Sequence, residues 1–229
     1  MIISFKYKFI FIKNYKTAGS SIERYLYNFL TKNDIIAPTN LQGINWQSKF
    51  DAQTLIKNFD KEISELYINR QAAYFAHMPA WLIRERIGKK IFSNFFKFAV
   101  LRNPWDQFVS HFHWLNNINN KHRINISWQE LINDLEFKLS ISNNLFNYYK
   151  ISEFQNRESI IDSICNFDDL DNDLNKVFKF LNIPYKPNSL LRLNASLNRK
   201  DYKVYFNSKD KNLIKNKFSK EIDLMEYVF

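Results

Sequence analysis

The hydrophobic and polar positions of this chain alternate between short apolar runs and longer amphipathic stretches. The run YKFIFI at residues 7–12 is rich in aromatic and β-branched residues and has the length of a buried strand. From residue 20 onward, apolar residues recur at the spacing of one helical face. They are Ile22, Tyr25, Leu26, Phe29 and Leu30. The pattern therefore predicts a strand, a loop and a helix in the first 30 residues.

The same order of elements recurs over residues 96–115. FKFAVL is a second buried-strand run, and the stretch WDQFVSHFHWL that follows places four apolar residues on one helical stripe. These are Trp105, Phe108, Val109 and Phe112. Asn103 and Pro104 mark the boundary, because asparagine caps a helix well and proline fits the first helical position. A second strand–loop–helix unit is predicted here.

The rest of the chain is mostly helical in pattern. A third strand is predicted at residues 158–165 (ESIIDSIC), followed by a helix at residues 168–181. Further helical segments are predicted, the last with a break near Asn207-Ser208: 51–59, 60–69, 79–87, 128–139 and 200–229. Strands that alternate with helices predict an α/β fold, with a central parallel sheet of three to five strands flanked by helices and a helical C-terminal part.

Composition says more about the domain organisation of the chain than about its function. No stretch has linker composition, so residues 1–229 are interpreted as a single domain. Lysines interrupt the apolar N-terminal run, which therefore fits neither a signal peptide nor a membrane-spanning helix, and we expect a cytoplasmic protein, with peripheral membrane association left open. Cys165 is the one cysteine, which excludes an internal disulfide and a cysteine-based metal cluster, and no metal is expected.

The net charge of +10 suits an anionic partner. However, the joint abundance of Lys, Asn, Ile and Phe is also what an AT-rich genome produces. The charge alone therefore selects no partner.

The loop KNYKTAGSS, between the first strand and its helix, has the composition of an anion site. In an α/β sheet, ligands bind outside the carboxyl ends of the strands, where a helix N-terminus offers unpaired N–H groups. The loop supplies a cation, three hydroxyls and two small residues that let the backbone close around an oxyanion: Lys16, Thr17, Ser20, Ser21, Ala18 and Gly19. It differs from the nucleotide triphosphate P-loop, in which the lysine directly precedes the hydroxyl residue. A phosphate or sulfate cradle is the interpretation, and an ordinary strand–helix turn is the alternative.

A second anion site is predicted in RNPWDQFVS. Arg102 stands at the carboxyl end of the second strand, and Ser110 lies on the helical face opposite the apolar stripe. An arginine fork with a nearby hydroxyl suits a second phosphate. The alternative is an arginine that satisfies a helix end, but two such sites at the ends of two strands are more informative than one.

These motifs resemble those of a known family. KTAGSS and LRNPWDQFVSHF are similar to the 5′-phosphosulfate loop and the 3′-phosphate motif of sulfotransferases that use 3′-phosphoadenosine 5′-phosphosulfate (PAPS). The closer likeness is to carbohydrate O-sulfotransferases, including heparan sulfate 2-O-sulfotransferase, and to small bacterial relatives. AYFAHMP resembles the segment around the family's catalytic histidine, and FDDLDNDLNKVFKFLNI its later helix. The stretch from residue 192 to the end resembles the usual ending of the bacterial relatives, so the likeness spans nearly the whole chain.

The resemblance implies a P-loop-like three-layer fold and sulfuryl transfer from PAPS to a hydroxyl acceptor, such as a glycan, by in-line displacement without metal and with PAP as the product. It implies that Lys16 and the loop N–H groups stabilise charge on the 5′-phosphate and the bridging oxygen. By the same resemblance, the loop hydroxyls hold the phosphosulfate, and Arg102 and Ser110 hold the 3′-phosphate. Arg199 and Lys200 match a segment that closes over the nucleotide, with a solvated basic loop as the alternative.

His77 is the first candidate for the general base. It follows the short apolar run YFA, which suits a strand ending near the same edge, and it matches the family's histidine in position. His113 is second, because helical spacing places it near the face of Ser110. His111 and His122 are interpreted as structural or solvated, and Glu85 is a weaker candidate.

Two positions depart from the family pattern. Tyr15 stands where the family commonly has proline, and Gln107 where it commonly has arginine. Neither removes a group assigned to phosphate. Four tryptophans are candidates for stacking on sugar faces, although most are expected in the core: Trp46, Trp81, Trp114 and Trp128.

Two other functions compete with the transferase. A nucleotide kinase of related fold is disfavoured by the missing Gly-Lys-Ser/Thr order. A basic nucleic-acid-binding protein is disfavoured because the best motifs are localised loops, whereas nucleic acid requires an extended basic face.

Overall fold

The computed structural model of the protein describes residues 1–36, 74, 77–78, 80–120, 125–133, 160–193 and 199–229, with side chains in the helix at 104–120 described as far as residue 117. The helices predicted at 51–59 and 60–69 lie outside these residues. So do residues 134–139 of another predicted helix, His122 and Trp46.

Five strands form one sheet in the order β3-β1-β2-β4-β5. Their bounds are β1 Ile2–Ser4, β2 Phe9–Ile12, β3 Ile35–Ile36, β4 Phe96–Leu101 and β5 Ser163–Asn166. Strand β4 pairs in parallel with both β2 and β5. Strand β1 pairs antiparallel with β2 and with β3. The predicted parallel sheet is thus confirmed at its centre, and one edge is antiparallel.

The strand predictions differ in accuracy for physical reasons. The prediction for β4 is confirmed in its bounds, and that for β2 is two residues too long, because Lys8 lies in a tight turn with φ of 52°. Strand β1 was not predicted. Strand β5 begins at Ser163 rather than at residue 158. One position before it, the Asp162 carboxylate accepts a hydrogen bond from the Lys97 backbone N–H at 2.7 Å, in place of a backbone acceptor.

Eight α-helices are present among the described residues. Their bounds are α1 Gly19–Leu26, α2 Ala80–Ile87, α3 Lys89–Asn94, α4 Pro104–Asn120, α5 Trp128–Asn133, α6 Leu170–Phe180, α7 Ser208–Lys217 and α8 Ser219–Met225. Short 3₁₀ turns lie at Tyr27–Phe29, Phe167–Asp169 and Tyr202–Tyr205. Helix α3 was not predicted; Gly88, with φ of 83°, separates it from α2. None of the described helices is long and apolar enough to cross a membrane.

The sheet is covered on both faces. Phe9 and Phe11 pack with Ile22 of α1 and Phe178 of α6 in one buried cluster. The alternate β2 residues, Ile10 and Ile12, belong to a second buried cluster. That cluster also contains Ile83, Trp105 and Phe108, of α2 and α4, and Ile214 of α7. Because successive strand residues face opposite sides, the helices form two layers around the central sheet.

The C-terminal helices dock against the start of α4. The Trp105 indole Nε1–H donates to the Lys211 carbonyl at 3.1 Å, and Asn103 Nδ2 donates to the Val228 carbonyl at 3.2 Å. The predicted break at Asn207-Ser208 is confirmed: Asn207 Oδ1 accepts from the Asp210 N–H at 2.9 Å and caps α7. The tail therefore lies beside the second predicted motif.

Candidate active site

The carboxyl ends of β2, β4 and β5 meet at one edge of the sheet. The loop of residues 13–18 follows β2, Arg102 follows β4, and Phe167 follows β5. The Arg102 guanidinium joins them: Nη1 donates to the Lys16 carbonyl at 2.7 Å, and its carbon lies 4.0 Å from the centre of the Phe167 ring. The two sequence motifs that suggested anion sites are therefore in direct contact.

Four successive backbone carbonyls of the first loop are each held by a side chain. Two of the donors come from the β4–α4 motif: Arg102 on the carbonyl of residue 16, and Gln107 Nε2 on the carbonyl of residue 15 at 2.6 Å. Thr17 Oγ1 donates to the carbonyl of residue 14, and His77 Nδ1 lies 3.2 Å from that of residue 13. The loop conformation is thus fixed through its carbonyl oxygens.

The same loop carries backbone strain. Lys16 has φ of 57° and Ala18 has φ of 58°, both in the left-handed region, while Thr17 between them does not. Alternation of this kind turns successive N–H groups toward a common concavity, which is an anion-binding geometry. Nothing in the described part of the chain accepts a hydrogen bond from the N–H groups of residues 16–20, and Ala18 caps α1 without a side-chain acceptor. These donors are available to a ligand.

Gly19 has a packing reason that the sequence did not show. A Cβ atom at Gly19 would lie 2.6 Å from Cγ and 2.9 Å from Cε of Lys13. The Lys13 side chain passes close to the start of α1 and reaches Glu23, where Nζ and Oε2 are 2.5 Å apart in a buried ion pair. The N-terminal amine of Met1 pairs with the other oxygen of Glu23. The charge of Lys13 is therefore satisfied inside the protein.

The three hydroxyls of the loop also have partners. Besides the bond from Thr17 described above, Ser20 Oγ accepts from Lys13 Nζ at 3.4 Å, and Ser21 Oγ accepts from the Leu193 N–H at 3.2 Å. The contact of Ser21 places a C-terminal segment beside the start of α1.

Lys16 is the cation of the loop that lacks a carboxylate partner among the described residues. Its Nζ lies 5.4 Å from the centre of the Trp114 ring, a cation–π contact. Burial, reinforced by the positive charges of Arg102 and Arg199, lowers the pKa of the Lys16 ammonium to about 8. The site therefore holds excess positive charge, which an anion would relieve.

Arg102, by contrast, has a carboxylate partner, which it shares with Arg199. Its Nε donates to Asp106 Oδ2 at 2.5 Å, and the other oxygen of Asp106 pairs with Arg199. Burial lowers the pKa of Arg102 to about 10, so it stays charged at neutral pH. Ser110 lies on α4, the helix that carries Asp106, and is buried, whereas Lys200 is exposed. The structure thus brings Arg199 to the site, through a carboxylate that sequence analysis did not select.

His77 lies against the first loop, stacked on Tyr15 with ring centres 3.7 Å apart and planes 14° apart. Because a carbonyl only accepts, the contact with the Lys13 carbonyl places the proton on Nδ1 and leaves the lone pair on Nε2. Burial, followed by the charge of Lys13, lowers the pKa of His77 to about 3. The imidazole is therefore neutral at physiological pH, which is the form that a general base requires.

Comparison with known proteins identifies the family. The family model described as "Sulfotransferase family" matches residues 1–227. The chain belongs to the sulfotransferase family. It is also similar to an uncharacterized protein of Archaeoglobus fulgidus, at 30% identity over 111 residues, which are 47% of this chain and 84% of that protein. Membership supports sulfuryl transfer as the general activity, and it lends no support to the kinase or nucleic-acid-binding hypotheses.

The other candidate bases of this sulfotransferase have different surroundings. His113 Nε2 lies 2.8 Å from the Tyr205 hydroxyl in the C-terminal part. His111 stacks on Trp114, with ring centres 5.7 Å apart. Glu85 is half exposed and pairs with its neighbour Arg84. His77, in contrast, contacts the first loop through its hydrogen bond to the Lys13 carbonyl and its stacking on Tyr15.

Two residues of the candidate site were not selected from the sequence. Lys13 directly follows β2, and Asp106 stands four residues after Arg102, the spacing of a helical ion pair. That spacing was a usable signal. Trp114, four residues after Ser110, was considered only for sugar stacking. Trp128 is partly buried and packs against the core, with edge-on contacts to Phe108 and Phe112. No group of three or more potential metal ligands occurs among the residues described.

Proposed function

We propose that this sulfotransferase transfers the sulfuryl group of PAPS to a hydroxyl acceptor, with a saccharide as the acceptor class. The observation that carries the proposal is the state of the first loop. Its carbonyls are held by side chains, its N–H groups at residues 16–20 have no acceptor in the described structure, and Lys16 lacks a carboxylate partner there. These features fit an anionic ligand such as a phosphosulfate.

The first loop suits the 5′ end of the donor. Lys16 and the N–H groups from Thr17 to Ser20 would bind the phosphate and the bridging oxygen, where charge develops as the S–O bond breaks. The hydroxyls of Thr17, Ser20 and Ser21 stand at the start of α1 and would complete the contacts. The positive charges of Arg102 and Arg199 add to the attraction, because both lower the pKa of Lys16 and so act on the same place.

The second motif suits the 3′-phosphate. Arg102, Ser110 and Arg199 would distinguish PAPS from adenosine phosphates that lack this group, and Lys200 lies next in the chain. The Asp106 carboxylate already occupies both arginines. A 3′-phosphate therefore competes with Asp106 for them, or shares their remaining donors.

His77 suits the role of general base. Its Nε2 lone pair would take the proton of the acceptor hydroxyl as the oxygen attacks sulfur and the bond from sulfur to the 5′-phosphate breaks, which gives a sulfate ester and PAP. The positive charge of Lys16 contributes to the low pKa of His77. An anion bound at Lys16 offsets that charge, so nucleotide binding raises the pKa of His77 and makes it a better base.

A saccharide acceptor is supported by the resemblance to carbohydrate sulfotransferases and by one aromatic residue at the site. Trp114 lies beside Lys16, where the sulfuryl group would be transferred. Aromatic side chains of this kind present apolar faces with a polar edge.

The first test compares two nucleotides by thermal unfolding. At equal concentration PAP should raise the melting temperature, by a shift that grows with the logarithm of its concentration over its Kd, and 5′-AMP should raise it much less, because it lacks the 3′-phosphate. Equal shifts with both nucleotides would contradict the assignment of the second motif. A transfer assay with radiolabelled PAPS against cell-envelope glycans and small metabolites then identifies the acceptor, and labelling of small metabolites alone would contradict the saccharide class.

A further inference from the structure

Tyr15 makes a contact that the proposed chemistry has not yet used. Its ring lies parallel to the imidazole of His77, with centres 3.7 Å apart. Tyr15 follows Asn14, which is buried and donates from Nδ2 to the Val100 carbonyl at 2.7 Å. The backbone next to the tyrosine is thus anchored to the end of β4, which makes the ring a fixed surface.

The imidazole needs such a surface. Its hydrogen bond from Nδ1 to the Lys13 carbonyl fixes one edge of the ring but leaves rotation about that contact. A parallel aromatic ring against the face removes this freedom, because any tilt of His77 would either collide with Tyr15 or break the contact. Edge and face together determine the direction of the Nε2 lone pair.

Helix α4 holds Tyr15 from the other side. Gln107, buried in the second turn of α4, donates from Nε2 to the Tyr15 carbonyl at 2.6 Å. The two positions at which the sequence departs from the family pattern, 15 and 107, are therefore direct partners. The contacts run from α4 through Gln107 and Tyr15 to the imidazole.

We propose that Tyr15, whose backbone carbonyl is held by Gln107, is a positioning residue for His77, and that its ring keeps the imidazole in the tautomer and orientation in which Nε2 faces the acceptor hydroxyl. The proposal rests on the proposed role of His77 as the base. Positioning matters because proton transfer requires the base within hydrogen-bond reach of the reacting hydroxyl, and small misplacements reduce the rate strongly. The part that the phenyl ring plays is separable from that of the phenol hydroxyl.

The test uses the full chain and two substitutions at one position. Tyr15→Phe keeps the ring, and Tyr15→Leu removes it at similar volume. Tyr7→Leu is the matched control, since Tyr7 lies in the turn at the other end of β2. ¹⁵N NMR of the histidine rings in the ligand-free protein reports the tautomer and the titration of His77 without any reaction.

We expect Tyr15→Phe and Tyr7→Leu to keep the His77 signals of the wild type, with the proton on Nδ1. Tyr15→Leu should mix the two tautomers and move the pKa of His77 toward its ordinary value, because the ring is rehydrated. In the transfer assay, Tyr15→Leu should lower kcat about tenfold while the KM for PAPS changes less than about twofold. Tyr15→Phe should keep most of the wild-type kcat.

Two results at position 15 would overturn the proposal. One is a folded Tyr15→Leu protein that keeps the tautomer and kcat of the wild type. The other is Tyr15→Phe losing as much as Tyr15→Leu, since the hydroxyl and not the ring would then be required. If Tyr15→Leu does not fold, Gln107→Met takes its place, because it removes the donor to the Tyr15 carbonyl; unchanged His77 signals there would also overturn it. A wild type without transfer activity would refute the proposed function, whereas the NMR result on ring orientation would stand.

Discussion

The loop after β2 and the segment after β4 begin alike and are completed differently. Each follows a buried parallel strand, carries a cation and leads into a helix. The cation of the first, Lys16, has no carboxylate partner in the described structure, whereas Arg102 of the second pairs with Asp106 at 2.5 Å. The same order of residue types thus produces one cation without a carboxylate partner among the described residues and one with such a partner.

The N-termini of α1 and α4, the helices that follow these two segments, also differ. Helix α4 is capped by Asn103, whose Oδ1 accepts from the N–H groups of Trp105 at 3.1 Å and Asp106 at 3.3 Å. Helix α1 begins after Ala18 without a side-chain cap. Backbone N–H groups are therefore available at the first helix and are occupied by protein at the second. An anion at the first motif would be bound by the backbone and Lys16, and one at the second by side chains.

The largest expected effect is that of removing His77, the proposed base, which stacks on Tyr15 of the first loop. His77→Ala should lower turnover by about 10²- to 10⁴-fold, the usual contribution of a positioned base. PAP affinity should be kept, since in the proposed mechanism His77 contacts the acceptor and not the nucleotide. His113→Ala is the control, with a small expected change in rate because His113 contacts Tyr205. Loss of transfer in His113→Ala with an active His77→Ala, both folded and binding PAP, would place the base on α4.

Lys16→Ala should lower turnover by about two to three orders of magnitude, the scale of losing one oxyanion stabiliser. Folding should persist, because Lys16 has no ion pair in the described structure. Lys8→Ala is a matched control: it is another lysine with positive φ, at 52°, but it lies at the opposite end of β2. Near-normal turnover in Lys16→Ala would remove the basis for treating the first loop as the reactive one.

Asp106→Asn tests how much the second site depends on the carboxylate that Arg102 and Arg199 share. The change removes the carboxylate charge that Arg102 and Arg199 share, so the free energy of unfolding should fall by about 2–3 kcal/mol in denaturant titrations. PAP should then raise the melting temperature more than in the wild type, because both arginines are released. Glu85→Gln, in an exposed ion pair, should change stability by less than about 1 kcal/mol. A smaller PAP shift in Asp106→Asn would mean that Asp106 aligns the arginines for phosphate.

The pH dependence of binding should separate the two cations. The pKa of Lys16 is about 8 in the folded protein against 10.5 as the ordinary value. PAP affinity should therefore fall about tenfold per pH unit above pH 8, as the ammonium deprotonates. Ligand-free stability should rise over the same window, because the unfolded chain binds more protons there. Lys16→Arg should keep its affinity up to about pH 10, where the pKa of Arg102 lies; an unchanged profile would show that another group titrates.

The sequence predicted the parts of this comparison that local patterns encode. The β4 strand, the Asn103 cap and the position of both motifs follow from periodicity and capping, and the structure confirms them. It did not predict β1, because a strand of three residues carries little periodicity. It also did not predict the Lys13–Glu23 ion pair or the stacking of Tyr15 on His77, which lies 62 residues further along the chain. Those contacts depend on how distant segments pack, which no local pattern states.

The smallest expected effects come from two neighbouring small residues of the first loop, and they should have opposite signs. Ala18 is in the left-handed region, so Ala18→Gly relieves strain and should raise the free energy of unfolding by about 1 kcal/mol. Gly19→Ala places a Cβ 2.6 Å from Cγ of Lys13 and should lower it by about 1–2 kcal/mol. Denaturant titrations of both variants measure this difference. If Gly19→Ala were as stable as the wild type, the Lys13 side chain would reach Glu23 by another path. The close packing of Lys13 against residue 19 would then not be the reason for a glycine at the start of α1.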